Sequence, residues 1–332
     1  MRPTGSPRLI RYRVRAGTVR VGRFALAVFL VAAVARAAAA EPVGVEERDV
    51  VELAPAKGQR VGKIAIDNRL GDVRIEGHDR DAISIIAVKR ATDHETLERL
   101  KVSLVPDPSG SVSISTALLA GKEARPIPAG SVRIDLVIMA PRSAAVEARV
   151  WKGRIAIKGL DAGAELTAVD GDIDVEQVSG TVSTESNHGH HSFAQVFGAI
   201  DAHATAGDLD LDVVRGERLA AVVHEGHVVG RKVRVKDIAI RVTRGDVDIS
   251  GEAIAGGHYQ IASYWGNVQV RLGKKVPMHI RAQAHAGLVT LPRRFRRQDA
   301  VGAIVTGDAG SGRSPADLDL RTRVGIITVA DF

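Results

Sequence analysis

The chain contains no cysteine. This absence excludes a disulfide framework, a thiol nucleophile and lipid attachment at a cysteine, so stability must come from strand pairing and packing. Aromatic residues are also scarce, at 3% of the chain, whereas Ala, Val, Ile and Leu are abundant. A narrow core filled by small aliphatic side chains suits this composition better than a broad globular core.

Acidic residues are absent from the first 23 positions, which contain seven arginines. An apolar run follows at 24–35, and its twelve residues are too few to cross a bilayer, which takes about 20 in a helix. Small residues at Ala38 and Ala40 then provide a cleavage pattern. The sequence predicts a signal peptide over 1–40, cleaved after Ala40 or, as a second choice, after Ala37. The alternative is an uncleaved amphipathic anchor.

The basic character of the chain belongs mostly to this leader. Eight of the 46 basic residues lie in positions 1–40, which leaves 38 against 39 acidic residues in the mature chain, a formal charge of −1. A nearly neutral protein is not expected to bind nucleic acid. The single concentrated basic run, PRRFRR at 292–297, is typical of a solvated loop, with polyanion binding as the alternative.

A repeated unit fills most of the remaining length. Each copy is a glycine followed by alternating polar and apolar residues, as in DGDIDV and AGDLDL. Successive glycines between Gly153 and Gly287 are separated by 18, 18, 18, 19, 19, 21 and 21 residues. The predicted corner glycines are Gly71, Gly153, Gly171, Gly189, Gly207, Gly226, Gly245, Gly266, Gly287 and Gly325. Gly325 lies 38 residues after Gly287, which predicts two further steps of 19.

Alternation with period two predicts short strands that are buried on one side. Two or three such strands per turn, joined by glycine corners, predict an all-β chain folded as a β-solenoid with about 18–21 residues per coil. A β-sandwich or barrel also has regularly spaced strands, but such folds rarely keep a glycine register through eight units. The one convincing helix lies near 92–100, where Thr92 and Glu95 have capping-box spacing.

The predicted organisation has four parts. They are the signal peptide at 1–40, a linker at 41–59, longer strands with the short helix at 60–148, and regular coils at 149–332 with a Gly/Ser-rich loop at 306–317.

The GDIDV-type repeats, the segment APRSAAVEARVWKGRIAIKGL and the TDHETLERL helix together resemble the bacterial putative adhesin family, over about residues 60–332. The resemblance implies a β-solenoid domain of unknown function in a cell-envelope or extracellular protein, with no established catalytic activity.

Motifs for common chemistries are absent from the sequence. No nucleophile elbow and no phosphate-binding glycine loop occurs. Carboxylate pairs do occur, at Asp172 and Asp174, at Asp208 and Asp210, and at Asp246 and Asp248, and two carboxylates at such a spacing suit glycoside hydrolysis. A polysaccharide-active enzyme is therefore the alternative, although the coils lack the long cleft-forming loops of such enzymes. We expect no catalytic residues and no cofactor.

Histidines cluster in NHGHH at 187–191. The candidate metal ligands are His188, His190, His191, Asp208 and His227. Stacking of coils would arrange Asp172, His190, Asp208, His227 and Asp246 in one ladder, which indicates either a metal-binding row or charge alternation on a solvent face. His191 falls at an inward position, so it is interpreted as a core histidine or a local break in the register.

Three aromatic residues, Tyr259, Tyr264 and Trp265, are the predicted contacts to a ligand or partner, and packing at a corner is the alternative. Trp151 is interpreted as a corner filler. The sequence therefore predicts a non-enzymatic, adhesin-like scaffold in the periplasm, on the outer surface or outside the cell. Its expected partner is an envelope polymer or protein, the mature chain is expected to lack a membrane span, and its oligomeric state stays open.

Overall fold

A computed structural model describes residues 13–18, 45–54, 60–120, 130–301, 304–312 and 314–331. Within these residues the fold is a β-solenoid with a single six-residue helix, which confirms the predicted fold class. The proposed cleavage sites at Ala37 and Ala40 lie outside the described residues. No helix among these residues is both long enough and apolar enough to span a membrane.

The N-terminal part combines long strands with the helix. Its elements are β1 (Arg13–Thr18), β2 (Val45–Ala54), β3 (Lys63–Leu70), β4 (Val73–His78), β5 (Ile83–Ala91), α1 (His94–Arg99), β6 (Leu100–Pro106), β7 (Ser111–Leu118), β8 (Val132–Pro141) and β9 (Ala145–Lys152). Strand β2 lies inside the predicted linker, and β1, from the predicted leader, pairs with it antiparallel. Asp93, rather than Thr92, caps the helix, because its carboxylate accepts the Thr96 N–H at 2.7 Å.

The coils follow in chain order. Their strands are β10 (Ile155–Lys158), β11 (Ala164–Asp170), β12 (Ile173–Glu176), β13 (Val182–His188), β14 (His191–Phe197), β15 (Ile200–Ala206), β16 (Leu209–Glu225), β17 (Val228–Arg244), β18 (Val247–Gly251), β19 (His258–Trp265) and β20 (Val268–Leu272). The last strands are β21 (Met278–Ala286), β22 (Val289–Thr290), β23 (Arg296–Val301), β24 (Ile304–Ala309), β25 (Ala316–Val324) and β26 (Ile327–Asp331).

Two broad faces enclose the core. Face A stacks β8, β4, β10, β12, β14, the first parts of β16 and β17, β18, β20, β26 and β22. Face B stacks β7, β3, β9, β11, β13, β15, the last parts of β16 and β17, β19, β25 and β21. A short third side joins the two faces, for example where Phe197 pairs with Arg215. Alternation points apolar residues from both faces into one continuous core.

Parallel register explains the glycine spacing. Ile173 pairs with His191 and His191 with Leu209, so each coil advances by 18 residues, and later coils advance by 19 or 21. An added Cβ at Gly207 would stand 1.8 Å from the carbonyl oxygen of Gly189, one coil below. The corner therefore requires glycine because stacked backbones approach closely there.

The regular order ends after β20, where the sequence predicted the Gly287 coil and then two further steps of 19 to Gly325. Val268 pairs with Ile327, and Ile327 pairs on its other side with Val289. Gly325 therefore stacks between Gly266 and Gly287, and the chain doubles back on itself. The predicted loop at 306–317 also differs, because its first residues belong to β24, which pairs antiparallel with β21.

Candidate functional site

A concave site lies on the outer surface of face B, over β17, β19, β25 and β21. Register aligns Arg241, Ala262, Arg321 and Gln283 in one outward row across these four strands. The small side chain of Ala262 leaves a depression between the arginines, and the resulting cavity has a volume of about 620 Å³. Tyr264 lies at its edge, so we name this cavity the Tyr264 groove.

Positive charge in the Tyr264 groove is only partly neutralised. The Arg321 guanidinium donates to both oxygens of Asp319, at 2.9 and 2.5 Å, and this pairing raises the pKa of Arg321. Arg323 instead lies over the Tyr264 ring, 4.9 Å from its centroid. Among the described residues, neither Arg241 nor Arg323 has a carboxylate partner. These two guanidinium groups are therefore available to an anion.

The three predicted aromatic contacts separate in the structure. Tyr264 and Trp265 are 41% and 49% exposed, and their rings meet edge to face at 5.6 Å. Tyr259 is 2% exposed, and its hydroxyl accepts the backbone N–H of Ile254 at 2.8 Å. Burial raises the pKa of Tyr259. Tyr259 therefore anchors a loop inside the fold, and only Tyr264 and Trp265 are open to a partner.

Trp151 is not a corner filler, because 66% of its side chain is exposed. It lies beside a second cavity on face B, of about 650 Å³, which is lined by residues of β3, β9 and β11. Arg69, Arg149 and the carboxylate of Asp67 contribute to the lining of this Trp151 groove. Arg149 is ion-paired with Glu147 at 2.6 Å, whereas the Arg69 side chain has no partner among the described residues.

The predicted Asp/His ladder stacks at the corner between the two faces, and several of its members bond to the backbone. The carboxylate of Asp172 accepts the N–H of His190 at 3.0 Å, and Asp208 accepts that of His227 at 2.8 Å. Nδ1 of His227 in turn accepts the N–H of Asp246 at 3.1 Å. The described residues contain no cluster of three or more His, Cys, Asp or Glu side chains arranged to hold a metal ion.

His191 lies apart from this ladder, in the core, and is fully buried. Its Nδ1 is 3.1 Å from the Thr184 hydroxyl and its Nε2 is 2.7 Å from the Ser186 hydroxyl. Burial, with the neighbouring His190, lowers the pKa of His191 to about 4. His191 is therefore a hydrogen-bonded core residue. His188, another predicted metal ligand, is exposed at the end of β13.

Two of the three predicted carboxylate pairs contact an arginine, and in the third pair Asp210 lies 3.3 Å from Nε2 of His190. Arg154 contacts Asp172 at 3.2 Å and Asp174 at 3.1 Å. Arg271 reaches both oxygens of Asp248, at 2.7 and 2.8 Å. Burial raises the pKa of Asp174, and the charge of Arg154 opposes that shift. These pairs lie on face A and its corner, away from both grooves.

Comparison with known proteins gives one family match. The sequence profile of the family "Toastrack DUF4097" matches residues 61–329. No curated protein matches the chain.

Solved structures also resemble the chain. A putative adhesin from Parabacteroides merdae is 10% identical with a TM-score of 0.44, and the alignment covers 88% of this chain and 98% of that one. A putative lipid binding protein from Parabacteroides distasonis is 9% identical with a TM-score of 0.42, covering 86% and 96%. A putative adhesin from Bacteroides fragilis is 12% identical with a TM-score of 0.37, covering 86% and 98%.

Proposed function

The chain belongs to the Toastrack DUF4097 family, and from that premise we propose that it is a non-enzymatic, adhesin-like scaffold of the cell envelope. In this proposal a cleavable signal peptide exports the protein, and the Tyr264 groove binds an anionic partner in the envelope or on the cell surface. The solenoid provides a rigid frame, because each strand of a coil is hydrogen-bonded to the coils on both sides.

One observation carries the proposal. Arg241 and Arg323 lie in a concave site beside an exposed tyrosine, and no carboxylate among the described residues neutralises them. Guanidinium groups bind carboxylates and phosphates through paired hydrogen bonds, and an aromatic ring adds apolar contact area. Such a site favours binding of an anionic group over chemistry on it, because the groove residues include no carboxylate or nucleophile arranged for catalysis.

Binding to isolated cell envelopes tests this proposal. The double variant Arg241→Gln/Arg323→Gln is expected to reduce sedimentation of the exported protein with envelopes by at least fivefold, and wild-type binding should weaken as salt increases. Arg215→Gln/Arg231→Gln is the matched control, because these two arginines are exposed and lie away from face B. Equal binding by wild type and the groove variant would overturn the proposed role of the groove.

Export is tested separately. N-terminal sequencing of the protein from an envelope fraction is expected to begin at Glu41. Recovery of a chain that begins at Met1, or recovery from the cytosol alone, would overturn the export part of the proposal.

A further inference from the structure

The two grooves lie on one straight row of face B. The strand pairs on either side, Ala168 with Val150 and Asp170 with Lys152, place Trp151 opposite Val169. The same row continues through Asn187, Thr205, His224 and Thr243 to Tyr264. Trp151 and Tyr264 are thus separated by six strand-to-strand steps, or about 29 Å at about 4.8 Å per step.

Each aromatic residue is flanked by an arginine on the side away from the other aromatic residue. Arg69 lies beside Trp151 on β3, and Arg323 lies beside Tyr264 on β25. Neither arginine has a carboxylate partner among the residues that the structure describes. In order along the stack, this part of the row therefore consists of Arg69, Trp151, five intervening residues, Tyr264 and Arg323.

The five intervening side chains carry no carboxylate. Val169 is apolar. The other four side chains, those of Asn187, Thr205, His224 and Thr243, are exposed and supply an amide, two hydroxyls and an imidazole. The rows on either side carry both signs of charge, because Asp170, Glu185 and Glu225 are interspersed with Arg149, Lys152, Arg241 and Arg244. The row is thus a hydrogen-bonding path without carboxylates, and it ends in positive charge.

We infer that this row is a binding track for a linear acidic polysaccharide that lies along the solenoid axis and contacts both grooves. The inference rests on the proposed function, since it assigns the chemical class and direction of the anionic partner. Sugar rings have apolar faces that pack on Trp151 and Tyr264, and their hydroxyl groups match the amide and hydroxyl side chains between. The arginines at the two ends bind acidic groups of the chain.

Single-stranded nucleic acid also combines stacking rings with anionic groups. Its phosphates, however, occur at every residue, whereas the five central side chains of the row include no lysine or arginine. An acidic polysaccharide with uncharged stretches matches a row whose arginines lie only at its two ends. The acidic group itself is a sugar carboxylate or a sugar phosphate, and the guanidinium chemistry is the same for both.

Chain length provides the test, because a ligand that engages two sites on one surface gains affinity without new contacts at either site. The probes are size-fractionated oligogalacturonates for carboxylates, phosphorylated mannan fragments for phosphates, neutral dextran and oligothymidylate. For at least one acidic glycan, chains longer than about 29 Å, six strand spacings, are expected to bind the exported protein at least tenfold more tightly than chains that fill one groove.

Two variants report on the two ends of the track. Trp151→Ala and Tyr264→Ala should each remove most of the length-dependent gain. Trp151→Ala should leave short chains able to bind at the Tyr264 groove. Phe197→Ala is the matched control, because this ring is 44% exposed but lies on the third side.

The outcomes separate the two proposals. Equal affinity for short and long chains, with no effect of Trp151→Ala, would overturn the track and leave the Tyr264 groove as a single site. Tighter binding of oligothymidylate or dextran than of either acidic glycan would overturn the ligand class. If none of the probes binds and groove variants still sediment with envelopes like wild type, the proposed function itself fails.

Discussion

The Oδ1 atom of Asp208 accepts a 2.8 Å hydrogen bond from the backbone N–H of His227, one coil further along the stack. The same contact recurs at other coils, where the side chain after a corner glycine bonds to the backbone of the next coil. These contacts are Asp72 to Arg154, Asp172 to His190, Asp246 to Asn267 and Asn267 to Ile326. The ladder therefore satisfies backbone N–H groups at the corner between the two faces.

Asp208→Ala is expected to lower the free energy of unfolding by about 1–2 kcal/mol, because it leaves the His227 N–H without its acceptor, as in the loss of a helix cap. Asp208→Asn keeps an acceptor and should lie close to wild type. Asp212→Ala, at an exposed position four residues further along the chain, should change stability by less than about 0.5 kcal/mol. Urea denaturation measures all three. Equal effects of Asp208→Ala and Asp212→Ala would contradict the backbone role.

The solenoid could be predicted because its determinants are local and periodic. Glycine at each corner and alternating residues after it are visible in a single coil, so fold class and coil length follow from sequence. The position of Gly325 between Gly266 and Gly287 could not be predicted, because a repeat reports which segments form coils and not the order in which distant coils stack. The antiparallel hairpin that contains β24 has no repeat signal at all.

The site was predicted only in part, for a related reason. Tyr264 and Trp265 stand out in a chain with few aromatic residues, whereas Arg241 and Arg323 are ordinary arginines until register brings them together. Register also shows that Trp151 and Tyr264 share one row, although 113 positions of sequence separate them. Tyr259 looked equivalent to Tyr264, but alternation turns its ring inward.

Gly207→Ala is expected to destabilise the protein by at least about 2 kcal/mol, through backbone strain and overpacking. Gly207 has φ +149°, and the new Cβ would meet the Gly189 carbonyl oxygen. Gly273→Ala is the control, because the nearest atom to its Cβ lies 4.0 Å away, and we expect a change of less than about 1 kcal/mol. Thermal unfolding of the two variants measures the difference. Similar melting temperatures would argue against close stacking at this corner.

Val213→Gly is expected to stabilise the protein by about 1 kcal/mol, because Val213 has φ +56°, a conformation that is strained for a β-branched residue. The position belongs to a second stacked corner, which the sequence analysis missed because glycine does not mark it. Its members are Gln177, Gln195, Val213 and Lys232. Val222→Gly, in the extended part of β16, is the matched control and should destabilise by about 1 kcal/mol. Chemical denaturation is the measurement, and destabilisation by both changes would refute the strain at Val213.

Acidification should destabilise the protein through His191, whose pKa is lowered to about 4 by burial. The unfolded ring takes up a proton below about pH 6.5, whereas the folded ring stays neutral until about pH 4. Between these values the unfolded state binds more protons, so this histidine lowers the free energy of unfolding by up to about 1.4 kcal/mol per pH unit as pH falls. Above pH 6.5 and below pH 4 it contributes nothing to the pH dependence of stability.

His191→Leu, which matches Leu209 in the next coil, should remove this part of the pH dependence. It should also lower stability at pH 7.5, since Thr184 and Ser186 lose their partner. Adding Thr184→Val and Ser186→Ala should recover much of that loss. Urea denaturation of the three proteins between pH 4 and 7.5 measures both effects, and parallel pH profiles for wild type and His191→Leu would show that the buried ring does not carry the pH dependence.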